Sequence, residues 1–244
     1  MAIGRDYPDW GGYPVSGQTY PLKDLAELAA RLGSPVTFDR SGAVYCLETF
    51  RYGFNAWGTA YYGAALPPTL DKDYSYSDGV AVKLDPGVTT GQYCSIYHWE
   101  PRPSLSKWGF ACRFSTGGTV GRLYLLMTWG DGTQLWQAWV YVDRKNNLLY
   151  VSDANGAAVN VATIPTLLDN PRCFNFIKAV IDPEAHAWCR VRLNSAIYDL
   201  SGVGARLLGA TGYDYVQLAV QAMSQGTGQQ PFYVDDIVMT YNES

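Results

Sequence analysis

The sequence predicts an all-β fold, a two-sheet antiparallel sandwich, on three observations. Beyond Val36 apolar and polar residues alternate with a period of two, as in half-buried strands. Turn signals recur at short intervals between the alternating runs. The 244 residues include 19 Tyr, 8 Trp and 25 Gly, a mixture suited to twisted sheets joined by tight turns. Many short strands in one chain must cover each other's apolar faces, and a second sheet supplies that cover. With 48% hydrophobic and 16% charged residues the chain can bury a core, which excludes a disordered class. A net charge of −4 leaves no global basic footprint for nucleic acid and no polybasic cluster for an anionic membrane.

Residues 1–21 carry Pro8, Gly11, Gly12, Pro14, Gly17 and Pro21, and no regular element fits them. They read as an extended arm whose aromatics, Tyr7, Trp10, Tyr13 and Tyr20, need a surface to lie on. A helix is predicted over 21–32: Leu22, Leu25, Leu28 and Leu32 recur at helical spacing, and Gly33 and Pro35 stop it. Three turns do not persist alone, so Leu25 and Leu28 are docking candidates. The chain thus divides into an arm and helix, 1–35, and a sandwich, 36–244.

Within the sandwich, 122–129 reads as a strand, Gly130-Asp131-Gly132 as a turn, 134–143 as the next strand and Lys145-Asn146-Asn147 as its turn. Residues 148–152 follow, closed by Asp153-Ala154-Asn155-Gly156. Further strands are predicted at 174–181, 186–193 and 196–200, and a last one at 232–241. The start of the chain lacks the charged-then-apolar pattern of a secretion signal, so synthesis in a cytoplasm is expected. No apolar run approaches the roughly 18–20 residues of a membrane span.

Five cysteines, Cys46, Cys94, Cys112, Cys173 and Cys189, form no C-x-x-C pair, which argues against a zinc knuckle and a full disulfide framework. They read as small buried hydrophobes, with room for one disulfide. The five glutamates are Glu27, Glu48, Glu100, Glu184 and Glu243, and no E-x-D-x-x-E pattern of sandwich glucanases is present. Adjacent strand residues point to opposite faces, so Asp235 and Asp236 are not expected to form a catalytic pair by themselves. His98 and His186 read as ordinary surface or hydrogen-bonded residues. Neither a G-x-S-x-G elbow nor a phosphate-binding loop occurs, and no catalytic residue is assigned.

Aromatics are the stronger signal. Strict alternation over 186–193 puts Ala187, Cys189, Val191 and Leu193 toward a core and Trp188, Arg190 and Arg192 toward solvent or a partner. Over 134–143 it puts Trp136, Ala138, Val140 and Val142 inward, and Leu135, Gln137, Trp139 and Tyr141 outward. Trp188, Arg190, Arg192, Trp139 and Tyr141 are therefore candidate contacts to a glycan or a protein partner.

The segment Leu47-Glu48-Thr49-Phe50-Arg51-Tyr52-Gly53-Phe54-Asn55-Ala56-Trp57 resembles the opening strand and loop of jelly-roll carbohydrate-binding modules. Ser77-Asp78-Gly79-Val80-Ala81-Val82-Lys83-Leu84 resembles the turn and strand that follow, and Phe232-Tyr233-Val234-Asp235-Asp236-Ile237-Val238-Met239 the closing strand. Residues 180–194 are similar to a hairpin of concanavalin-like and laminin-G-like sandwiches. This resemblance implies glycan binding and a structural calcium ion near the first and last strands, with Glu48, Asp235 and Asp236 as oxygen donors. The arm, the helix-bearing segment 24–35 and Thr37-Phe38-Asp39-Arg40-Ser41-Gly42 resemble jelly-roll structural proteins of bacteriophages. That second resemblance implies a non-catalytic virion component, a capsid decoration or tail-associated protein. It would be assembled in the host cytoplasm, form a homo-oligomer and dock on a protein scaffold through its arm. A carbohydrate-binding or receptor-recognition domain, with an extracellular location, is the alternative, and a sandwich glycoside hydrolase ranks third.

Overall fold

A computed structural model describes residues 42–54, 56–77, 79–102, 106–212 and 214–243. The predicted arm and helix lie outside the described residues, and with them Tyr7, Trp10, Tyr13, Tyr20, Leu25, Leu28 and the division at 35/36. What is described is all-β: two eight-stranded antiparallel sheets packed face to face.

Sheet I contains β1 (Ala43–Glu48), β3 (Thr69–Asp71), β4 (Ala81–Leu84), β6 (Trp108–Thr116), β11 (Asn175–Asp182), β12 (Ala187–Leu193), β13 (Ala196–Asp199) and β16 (Phe232–Tyr241). Sheet II contains β2 (Gly58–Tyr62), β5 (Tyr93–Pro101), β7 (Arg122–Gly130), β8 (Gln134–Asp143), β9 (Leu148–Ser152), β10 (Ala158–Thr163), β14 (Arg206–Ala210) and β15 (Tyr215–Met223). The order across sheet I is β13-β12-β11-β6-β16-β4-β3, with β1 also on β16. Across sheet II it is β10-β9-β8-β7-β15-β5-β2, with β14 also on β8. Chain neighbours β6 and β7 thus sit in opposite sheets, and β16 returns from the far end to the middle of sheet I.

The predicted strands at 134–143, 148–152 and 232–241 coincide with β8, β9 and β16. Three central strands, β5, β6 and β15, have no counterpart among the predicted hairpins. In β6 every position is buried, so no polar alternation marks it.

Between the sheets lie the large apolar side chains, among them Phe110 and Phe114 of β6, Leu123 and Leu125 of β7, and Val220 of β15. Trp108 of sheet I meets Trp129 of sheet II edge to face, with ring centroids 6.4 Å apart. Such a contact ties the layers beyond simple area burial. Two irregularities matter for the site. The β11–β12 register shifts between Val180 and Ile181, and the β6–β16 register shifts between Asp235 and Val238. Each inserts extra residue length on one strand, and an odd insertion reverses which face the following side chains take.

Candidate functional site

The first shift moves Trp188. Ile181 pairs with Trp188 while Val180 pairs with Arg190, so Cys189 is the bulged residue. Trp188 consequently turns inward; it is 2% exposed and its indole Nε1 donates to the Ser152 carbonyl at 2.9 Å. The expectation that Trp188 faces solvent is corrected by this bulge. Arg190 and Arg192 do face outward from sheet I, but both are engaged. Arg190 Nη2 donates to buried Glu243 at 2.9 Å, and Arg192 Nε to the Asn194 carbonyl at 2.9 Å. The predicted contact set is therefore split: these arginines lie on one sheet, Trp139 and Tyr141 on the other.

The second shift brings together the acids that alternation separates. Asp236 adopts a left-handed backbone (φ 46°) at the bulge, and both carboxyls reach the loop before β4. Asp235 Oδ2 accepts from the Tyr76 and Ser77 amides at 2.8 and 2.9 Å, and its Oδ1 from the Asp236 amide at 2.8 Å. Asp236 accepts from the Ser77 hydroxyl and pairs with Arg113 at 3.4 Å. Arg113 in turn lies 3.6 Å over the Tyr76 ring. Burial pushes the Asp235 carboxyl up to about 7, against the Ser77 amide and with Asp236 adding to the rise. Asp235 is wholly enclosed and Asp236 is 6% exposed, so the pair is a structural clasp on the loop.

These acids do not fit a calcium cage. Glu48 Oε1 accepts from the Phe50 amide at 2.7 Å and Oε2 faces the Trp57 indole nitrogen at 3.3 Å. Oxygens already directed at N–H donors are not arranged to surround a cation that needs six to eight of them. Among the described residues no group of three or more His, Cys, Asp or Glu is placed to hold a metal. Glu48 instead shapes the loop that carries buried Phe50 and Trp57 into the core.

Neither histidine bonds a serine or cysteine among the described residues. His98 is held by the Ala56 carbonyl at 2.7 Å and Glu100 at 2.5 Å, and His186 stacks on Trp136 at 3.8 Å. All five cysteines are free thiols. Burial pushes Cys46 up to about 11 and Cys94 up to about 12, which keeps both protonated and unreactive.

The outward face of sheet II carries a different arrangement. Ladder pairing puts Tyr150, Tyr141, Tyr124 and Gln221 in one row across β9, β8, β7 and β15. The next row runs Trp139, Leu126, Ala219 and Tyr97. A third runs Gln137, Thr128, Gln217 and Trp99. The rings of the first two rows touch. Tyr141 stacks on Tyr150 at 4.8 Å and meets Tyr124 at 4.5 Å, and Trp139 lies 5.6 Å from Tyr141 and 6.0 Å from Tyr124. Tyr141 is nearly enclosed by its neighbours and forms the floor, while Tyr124, Trp139 and Tyr150 are partly exposed. Burial raises the Tyr141 hydroxyl to about 12, so it remains a neutral donor.

A second aromatic group stands across the sheet. Trp99, 49% exposed, packs on Tyr215 at 4.6 Å and on Tyr97 at 6.3 Å. The Tyr97 ring lies on Gly58, where an added Cβ would come within 2.3 Å of it. Trp139 and Tyr97 are three strands apart, ~14 Å. Between the groups lie the half-buried amides of Gln217 and Gln221 on β15, and Gln137 stands beside Trp139 on β8, its Nε2 donating to Thr128 Oγ1 at 3.3 Å. Aromatic faces flanking amide donors and acceptors suit a ligand with alternating C–H and hydroxyl faces. Sequence reading found Trp139 and Tyr141 but missed Tyr124, Tyr150, Tyr97 and Trp99. Alternation within β7, where Leu123, Leu125 and Met127 turn inward, marks Tyr124 as outward; the lateral row needs the sheet order.

No protein-family model and no curated protein matches the sequence. Solved structures share the fold. One is a carbohydrate esterase from the Shiga toxin-encoding bacteriophage phi24B, at a TM-score of 0.56 and 15% identity over 83% of this chain and 100% of that one. A Bacillus subtilis protein with a galectin-like fold gives 0.52 at 9% identity, covering 82% and 97%. The carbohydrate recognition domain of Emp46p gives 0.51 at 10% identity, covering 81% and 93%. At such identities the likeness establishes the architecture: a jelly-roll β-sandwich of the kind found in lectin-like and phage proteins.

Proposed function

We propose that this protein is a carbohydrate-binding domain that grips a glycan chain across the outward face of sheet II. The observation that carries this reading is the contiguous set of Tyr124, Trp139, Tyr141 and Tyr150 beside a strip of glutamine amides. Sugar rings stack on Tyr124, Trp139 and Tyr150 while Gln137, Gln217 and Gln221 bond hydroxyls. Tyr141 supports the other rings from beneath. Rigid aromatics with few rotatable bonds lose little entropy on binding, which suits them to this role. The reading is one of binding without catalysis. It is supported by the enclosure of Asp235 and Asp236, which keeps both carboxyls from a substrate.

The test is a glycan array followed by calorimetry on the hits, with Trp139→Ala and Tyr124→Ala in parallel. At least one glycan class binds, and each variant weakens it by about tenfold or more, the loss typical of a central aromatic contact. An array silent with the folded wild-type protein refutes the proposal.

A virion setting is the second reading, supported by the fold likeness to a phage phi24B protein. In it the sandwich is a decoration or tail-associated component, oligomeric and tethered to its scaffold through residues 1–35. Deleting 1–35 then abolishes incorporation into the particle and leaves sandwich folding and glycan binding intact. Undiminished incorporation contradicts the tether.

A further inference from the structure

At one end of the aromatic face lies a cavity of about 360 Å³, within the range of small-molecule sites. Its lining includes Arg122, Lys145, Asn146, Gln225, Thr90 and Met223, with two cations and no carboxylate. Arg122 and Met223 are register partners on β7 and β15, two residues along from Tyr124 and Gln221. The Arg122 guanidinium lies 5.2 Å over the Tyr141 ring, so cavity and aromatic floor share a wall.

The donors at this cavity are held in place before any ligand arrives. Asp143, 1% exposed, accepts from Arg122 Nε at 3.1 Å, the Asn146 amide at 3.0 Å, Asn146 Nδ2 at 3.2 Å and Gln225 Nε2 at 2.9 Å. Gln225 is pinned at its other end, where Oε1 accepts from the Gly121 amide at 2.9 Å. Main-chain bonds join the contributing loops: Gly91 N to the Ser224 carbonyl at 3.0 Å, Ser224 N to the Gln92 carbonyl at 2.8 Å, and Arg144 N to the Gly121 carbonyl at 2.9 Å. One buried carboxylate thus orients three lining side chains. It offsets one of the two cationic charges, and Lys145, exposed and without an ion-pair partner among the described residues, leaves the cavity net positive. The Arg122 Nη groups, the Lys145 ammonium and the second amide protons of Asn146 and Gln225 are not donated to Asp143, and held in place with net positive charge and no competing lining acid they select an anion.

Resting on the carbohydrate-binding reading, we infer that the glycan is acidic, and that the Arg122–Lys145 cavity receives its anionic group while the neighbouring sugar stacks on the Tyr124–Tyr141 floor. A sugar carboxylate and a sulfate share the required chemistry.

Calorimetry on the full chain with matched pairs tests this: 3′-sialyllactose and its methyl ester, an oligogalacturonide and its methyl ester, and a sulfated oligosaccharide and its desulfated form. The charged member of at least one pair binds about tenfold tighter, the ratio that a hydrogen bond to a charged group supplies. Which pair responds separates carboxylate from sulfate. In Lys145→Gln that ratio falls toward one, and added salt lowers it in the wild type. Equal affinities within every pair overturn the acidic-glycan inference while the aromatic face stands. A preference that survives both Lys145→Gln and Arg122→Gln also overturns it, because the charge is then read elsewhere. Silence toward all six ligands and toward neutral glycans overturns the inference together with the reading beneath it.

Discussion

Replacing Trp188 with alanine separates two placements of one side chain. Strict alternation along β12 puts the indole on the outer face, where truncation changes stability by no more than about 0.5 kcal/mol. The shift between Val180 and Ile181 puts it in the core, 2% exposed and bonded to the Ser152 carbonyl at 2.9 Å. Truncating a buried Trp to Ala costs about 3–5 kcal/mol, and the Ser152 carbonyl also loses a donor. A loss of about 4 kcal/mol lowers the melting temperature of a chain this size by about 8–16 °C. Equilibrium unfolding in urea, followed by tryptophan fluorescence and circular dichroism, measures it. Should Trp188→Ala fail to fold, Trp188→Phe keeps most of the volume, loses the N–H bond and part of the ring, and costs less, about 1–3 kcal/mol. A change below 1 kcal/mol for the alanine variant refutes the bulge and returns Trp188 to the surface.

The Asp235 carboxyl, held near 7 when folded against 3.8 as its ordinary value, gives stability a distinctive pH slope. Between these values the folded state keeps a proton that the unfolded chain has released. Its contribution is therefore greatest at low pH and declines as pH rises from about 4 to about 7, by roughly 4 kcal/mol in all. Urea midpoints across that window fall with pH in the wild type and lose this slope in Asp235→Asn; an unchanged slope in the variant contradicts the assignment. Gly58→Ala displaces the Tyr97 ring, weakening glycan binding in calorimetry while shifting the melting temperature little; retained affinity means that Tyr97 is not part of the face. Since Glu48, Asp235 and Asp236 spend their oxygens on protein donors, excess EDTA leaves the melting temperature unchanged, and a drop in scanning calorimetry points to a calcium site made by other residues.

Residue periodicity and turn chemistry are local, and they determined the all-β class, the spans of β8, β9 and β16, and the outward placement of Trp139. The alternation in β15, with Val216, Leu218, Val220 and Ala222 inward, is equally legible in the chain. In β6 the signal is erased because both faces are covered, so its central position appears only once the sheets are assembled. The two register shifts were decided in three dimensions, because an inserted residue exists only relative to the partner strand that it outruns. They buried Trp188 and joined Asp235 to Asp236. Strand order did the rest: Tyr124, Tyr141 and Tyr150 come from three strands, and the Arg122–Lys145 cavity from loops that the chain separates by scores of residues. A side chain's direction along its own strand is set by neighbouring residues, but its lateral neighbours are chosen by pairing across the sheet, which no local pattern encodes.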